Sequence, residues 1–264
     1  MSETRDTWHR PPFIANPILR WAVYLGAIVY FGWVAFTLPI DWNRVVEGIE
    51  RAGRIFGGAF PPSFARSGLL IDGFLESLKI AVLATAGGVV LSIPIAFMAA
   101  RNIAPLPIFY LGRSLIIVAR SFHPVIVAII FVKAVGFGPF AGVLTLIVYS
   151  IGFVAKMLAE RIEEIDFGQV EAMRAAGAPY FSTLIYAIFP QIMPRQIGLT
   201  IYQLDSNLRA SAVVGIVGAG GIGATLANAF GRYDYDFALA ITIVIVAVIL
   251  LSEGVSGMIR KRIQ

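Results

Sequence analysis

Cysteine is absent from this chain. Disulfides, thiolate nucleophiles and zinc–sulfur centres are thereby excluded. Histidine is almost absent: only His9 and His123 occur, too few for a histidine metal site or a proton-relay chain, so no metal is expected. None of the four lysines completes a G-x-x-x-x-G-K-[ST] pattern, so the chain is not expected to hydrolyse ATP itself. No basic cluster with interleaved aromatics suggests a nucleic-acid surface. Charge of either sign is scarce: Asp, Glu, Lys and Arg make up 14% of the residues, against about 25% in soluble domains. No internal repeat is present.

Apolar residues fill the space that charge vacates. They are 58% of 264 residues, and the mean hydropathy is +0.81. A soluble fold of this size has too little interior for so much apolar surface. Disorder fails because disordered chains are rich in charge. An all-α integral membrane protein remains, with room for about six spans at roughly 20 residues each.

The uncharged runs locate them. Residues 21–40 form the first, flanked by Trp21, Trp33 and Trp42 and too long for a signal-peptide core. Residues 41–79 are mixed in charge and read as a short surface helix and a loop. The second span is 80–100, with Gly87, Gly88 and Pro94 inside it. The third begins near Pro107 and ends by Lys133; the fourth runs from about 140 to 155. A fifth, about 192–217, carries Asp205, Ser206, Asn207 and Arg209, and a sixth covers 237–255. A glycine-rich loop at 218–223 and a polar segment to Asp236 join the last two. Residues 1–20 form a tail and 21–264 a single membrane domain.

Net charge is +5, and Lys and Arg accumulate on the cytoplasmic side of membrane proteins. Alternating the spans from an inner N-terminus places Arg101, Arg113, Lys156, Arg161, Arg174, Arg195 and the terminal Arg260, Lys261 and Arg262 together inside. Both termini are therefore expected in the cytoplasm.

The segment from about 157 to 190 is the longest polar stretch between spans. Asp166 with Gln169 three residues on looks like a capping box, Gly177 is a helix stop, and Pro179 can open the next helix. These signals predict a helix over 167–176, about 15 Å long. It is either an ordinary interfacial helix or a docking element.

Here the residues resemble a known family. Glu171-Ala172-Met173, then Gly177, then Pro190 match the EAA motif of binding-protein-dependent ABC importer permeases. The departures are Met173 for alanine, Ala187 for isoleucine and Phe189 for leucine. Residues 131–164 and 202–223 are similar to the phosphonate permease subfamily. The resemblance covers about residues 70–262, and phosphonate, phosphate and phosphite importers are not separable by it.

It implies a type I importer-like permease acting as a homodimer in a bacterial inner membrane. Its partners would be an ATPase dimer and an extracytoplasmic phosphonate-binding protein. ATP and Mg²⁺ would sit on the ATPase, with no cofactor in this chain. Glu171, Ala172, Arg174 and Gly177 would contact the ATPase. The alternatives are an ABC permease for another solute such as an amino acid, or an ion-coupled secondary transporter. Lack of repeats speaks against the second of these.

No residue is a candidate for covalent catalysis. Asn207 and Arg209 are candidates for the translocation path, since intramembrane charges usually face a cavity or a partner. The competing reading is an internal Asp205–Arg209 pair at i, i+4 spacing. Arg120 and Ser121, beside His123, either anchor span three at the interface or join the same path. Gly218, Gly220, Gly221 and Gly223 satisfy G-x-G-x-x-G, but a dinucleotide site needs a soluble βαβ unit. They are a tight loop or kink at the outer mouth, or a hinge that gates it.

Overall fold

The computed structural model describes residue 14 and residues 16–39 and 41–263, with the side chains of 260–263 left out. Arg5, His9 and Arg10, and the side chains of Arg260, Lys261 and Arg262, lie outside the described residues. Two compact units meet between Arg54 and Ile55. The domain start expected at residue 21 falls inside the first unit.

In that unit, α1 (Pro17–Thr37) opens with Asn16 as N-cap, its side chain accepting the Ile18 N–H at 3.0 Å. None of its residues is buried within the chain. Helix α2 (Trp42–Ala59) begins there and crosses the boundary. Trp42, Val45, Val46, Ile49 and Phe56 share one side of it by helical spacing, and Arg44, Glu47, Arg51 and Arg54 the other.

The second unit contains α3 (Ser67–Ala99), α4 (Leu106–Ser121), α5 (Pro124–Val135), α6 (Pro139–Glu163), α7 (Phe167–Ala175), α8 (Tyr180–Thr183), α9 (Phe189–Val214), α10 (Gly221–Gly231) and α11 (Tyr235–Ile263). Single π-helical turns, Leu184–Ile188 and Gly215–Ala219, flank α9. No strand occurs among the described residues. Helices α1, α3, α6 and α11 are each long and apolar enough to cross a membrane. Counting each of two bent pairs as one span, α4 with α5 at 90° and the stretch Tyr180–Ala219 with α10 at 52°, gives up to six among the described residues.

Several boundaries differ from the sequence expectation, each for a physical reason. Helix α3 starts thirteen residues before 80, because Asp72 and Lys79 project outward while Leu70, Gly73 and Ser77 are buried on the other side. The third span is broken: Pro124 takes the first position of α5 and holds His123 extended, at φ −68° and ψ 139°. Residues 221–231, expected as loop, are helical, since packing of α10 on α3, α9 and α11 outweighs the poor helix propensity of its glycines. Beyond 155, the charged end of α6 simply continues the helix, with Lys156 and Glu160 paired at 3.4 Å.

Helices α3, α6 and α9 meet around one buried carboxamide. Asn207 Nδ2 donates to Thr85 Oγ1 of α3 and to Ser150 Oγ of α6, both at 2.9 Å. Its Oδ1 accepts from Gln203 Nε2 at 2.9 Å, and Gln203 also donates to Ser150 Oγ at 3.0 Å. The two hydroxyls donate onward to the Ala81 and Leu146 carbonyls. Every member is buried, Asn207 completely. Gly88 permits the approach: a Cβ there would overlap Ser150 Cβ.

Polar ties close both ends of the bundle. At one end Glu163 pairs with Arg113 at 2.8 Å and accepts the Arg101 N–H at 2.8 Å, while Arg113 Nε donates to the Ala99 carbonyl at 2.9 Å. At the other, Arg66 pairs with Asp234 at 3.0 Å and lies 4.2 Å over the Phe237 ring.

Asn207→Ala strands Gln203 and two buried hydroxyls, so it is expected to cost about 1–3 kcal/mol of stability. A Gly26→Ala control meets nothing within 4 Å. Thermal unfolding of the full chain in detergent measures both. A fall in midpoint is expected for Asn207→Ala alone; equal midpoints would contradict the hub.

Candidate functional site

Arg209 lies on α9 one turn beyond Asp205. Its Nη2 donates to Asp205 Oδ2 at 2.6 Å, so the i, i+4 pair weighed from the sequence does form. The pair is lopsided. The Asp205 side chain is 8% exposed and its Oδ1 accepts from Ser252 Oγ of α11 at 2.6 Å, whereas Arg209 is 49% exposed. A carboxylate turned inward thus holds a guanidinium that is turned outward. Pairing and presentation are therefore both realised, in one side chain.

Arg209 opens onto a cavity of 350 Å³ where α5, α6 and α9 meet. His123, Tyr149 and Ser206 supply the other polar side chains of its wall; Pro124, Val125, Ala210, Val213 and Val214 supply the apolar ones. His123 is also the N-cap of α5: its Nδ1 accepts the Val125 N–H at a long 3.4 Å. That leaves the proton of the neutral ring on Nε2.

Asn207, Arg120 and Ser121 do not line this cavity. Asn207 is completely buried inside the hub. Ser121 Oγ donates to the Ile117 carbonyl at 2.8 Å, and the stem of Arg120 packs where a Cβ on Gly152 would sit. Ser206 stood out with Asp205, Asn207 and Arg209 in the fifth span, whereas Tyr149 and Ser252 carried little sequence signal. A lone hydroxyl in an apolar helix most often bonds its own backbone, and only the fold separates those that do from those that do not.

The glycine segment forms the break between α9 and α10. Gly218, Gly220 and Gly221 have φ of 97°, 80° and 74°, which other residues rarely adopt. The Gly218 carbonyl accepts the Gly138 N–H at 3.0 Å, and Ser77 Oγ accepts the Ile222 N–H at 2.9 Å. Gly223 is helical; any side chain there would strike the Ala212 carbonyl. A second cavity, of 570 Å³, lies against the break, lined by Phe137, Gly218, Gly220 and Asn228 among others.

At the opposite end, α7 stands as a short capped helix between α6 and α8. Asp166 is its N-cap, accepting the Gly168 N–H at 3.0 Å. The reciprocal bond expected from Gln169 comes from α9 instead: Gln191 Oε1 accepts the Asp166 N–H at 2.9 Å, and Gln191 Nε2 donates to the Asp166 carbonyl at 3.2 Å. Gln169 is exposed. Gly177 ends the helix at φ 76°, with bonds from Gly177 N to Arg174 O at 2.9 Å and from Ala178 N to Met173 O at 3.0 Å, a Schellman stop. Val170 is buried, and Phe167 and Met173 pack onto the cluster around Ile162, Ile188 and Ile192. Glu171, Ala172, Arg174 and Gly177 are exposed. No group of three or more His, Asp or Glu able to hold a metal occurs among the described residues.

Residues 92–264 match the family model described as "Binding-protein-dependent transport system inner membrane component". The phosphite transport system permease protein PtxC of Stutzerimonas stutzeri is 39% identical over 244 residues, 92% of this chain and 88% of that protein. The phosphate-import permease protein PhnE of Mycolicibacterium smegmatis is 43% identical over 79% of this chain, which spans only 40% of that relative's length. Among solved structures, an inward-facing MetNI methionine ABC transporter chain overlays with a TM-score of 0.66 at 22% identity, covering 76% of this chain and 99% of the other. That likeness shows the fold. Several apolar helices, the family match and the similarity to PtxC agree on a multi-pass membrane protein and leave no place for an ion-coupled secondary transporter. The chain belongs to the inner-membrane permeases of binding-protein-dependent ABC importers.

Proposed function

We propose that this chain is the membrane-spanning subunit of an ATP-driven importer whose cargo is a phosphorus oxyanion: phosphite, phosphate or a phosphonate. The observation that carries the cargo is 39% identity to a phosphite permease over nine-tenths of the chain. ATP and Mg²⁺ belong to a partner ATPase dimer, and a separate extracytoplasmic protein delivers the cargo. A second copy of the chain completes the pore, closing over the half-exposed Arg209. Both termini and α7 lie on the cytoplasmic side, which gathers Arg101, Arg113, Lys156 and Arg161 there.

Helix α7 suits ATPase docking. It is short, capped at both ends and pinned to α9 by Gln191, so a push on its exposed face moves α9 rather than bending a loop. Ala172 leaves room for close contact, Glu171 and Arg174 offer charges, and Gly177 fixes the turn out. The break at Gly218, Gly220 and Gly221 is the hinge at the outer end of the same helix. Closing the ATPases on ATP displaces α7, tilts α9 and opens the outer mouth.

Uptake of labelled phosphite by cells with and without the gene tests the cargo, with unlabelled phosphate and methylphosphonate as competitors. Gene-dependent uptake that either competitor reduces is expected. Uptake independent of the gene, with the ATPase expressed, would overturn the cargo. Glu171→Arg reverses a charge on the exposed face of α7 and should lower uptake by at least about tenfold while the amount of permease in the membrane stays the same. Unchanged uptake would contradict docking through Glu171.

A further inference from the structure

The geometry points to an oxyanion-binding subsite within the permease itself, formed by Arg209, Ser206, Tyr149 and His123 around the cavity between α5, α6 and α9. The inference deepens the importer reading and rests on it for the identity of the anion.

The cavity wall carries donors and one cation, and no carboxylate. Asp205, which balances the arginine, is withdrawn into the protein, its two oxygens occupied by Ser252 and Arg209. The guanidinium keeps further N–H groups beyond the one bonded to Asp205, in a planar fork suited to phosphorus oxygens. Other hydroxyls on α9 are spent on their own helix: Thr200 donates to the Gln196 carbonyl and Ser211 to the Leu208 carbonyl. The Ser206 and Tyr149 hydroxyls, by contrast, make no hydrogen bond among the described residues, and both face the cavity. His123 adds Nε2–H, since Nδ1 is turned to the α5 backbone.

A ligand for this wall must be an acceptor on several sides and negatively charged, as a tetrahedral phosphorus oxyanion is. At about 30 Å³ per water, 350 Å³ holds such an ion with part of its hydration shell. A partly hydrated ion on a half-exposed arginine is held loosely, and a path must release what it binds. Ser252 acts as a positioning residue: it holds Asp205, and Asp205 aims the guanidinium.

The chain has no cysteine, so an introduced thiol is the only one in the permease, and labelling is read on the permease band. Val213 lines the cavity and lies one turn beyond Arg209. In membranes holding the full permease with its ATPase, Val213→Cys is treated with an anionic sulfonatoethyl and a cationic trimethylammonioethyl methanethiosulfonate. The anionic reagent should react about tenfold faster relative to free thiol controls, phosphite should slow it, and adding Arg209→Gln should abolish both effects. Ala210→Cys, also on the wall, is the second reporter should Val213→Cys not assemble. Equal rates, selectivity that survives Arg209→Gln, or thiols inert to both reagents would overturn the subsite. Charge selectivity without protection by phosphite would also overturn it, and would assign the arginine to a lipid phosphate. Protection by phosphite in a chain that supports no phosphite uptake would uphold the subsite and sink the cargo reading alone.

Discussion

The side chain of Asn207 hydrogen-bonds three helices at once, and the placement of everything along α9 depends on it. A carboxamide deep among apolar helices is costly unless all its groups are matched. Here both its donor and its acceptor side are matched, through Thr85, Ser150 and Gln203. Those bonds have fixed geometry, so they set the rotation and the axial position of α9 against α3 and α6. Dispersion between smooth apolar faces alone tolerates sliding; a matched polar cluster does not.

That rotation decides where the other side chains of α9 point. Residues 205 and 209 share a face that Asn207 does not, and the arginine reaches the cavity because the asparagine is locked away from it. The two ends of the same helix reach the two segments proposed to move. Gln191 ties its start to α7, and beyond its end lie a π-helical turn containing Gly218 and then Gly220 and Gly221, all three at positive φ. A rigid rod clamped at one end and broken at the other can transmit displacement along its length, as the proposed coupling of α7 to the glycine break requires.

Much of this was legible in the sequence. The uncharged runs located the spans, because lipid demands about 20 apolar residues in a row. Asp166, Gly177 and Pro179 marked the limits of α7, because capping chemistry is local. The i, i+4 spacing of Asp205 and Arg209 announced their pair. What escaped was set by contacts distant in sequence. Gln191 replaces Gln169 at the cap from 25 residues away. The glycine-rich α10 is helical through its packing. Asn207 looked like a path residue because a polar group in a span suggests a path, and only its partners 57 and 122 residues away reveal a structural role. The break at His123 was signalled by Pro124, but the 90° turn was not.

Separate roles for Asn207 and Arg209 are the central claim, and transport by Arg209 variants tests it most directly. Labelled phosphite uptake, normalised to permease in the membrane, would be measured for Arg209→Lys and Arg209→Gln beside the melting midpoint of each purified chain. The account predicts a midpoint close to that of the parent for lysine, which can still pair with the buried Asp205, with uptake retained in part, and for glutamine uptake lost beyond what its lower midpoint explains. Full uptake by Arg209→Gln, or loss that tracks a fallen midpoint in both variants, would show that the arginine serves only the fold.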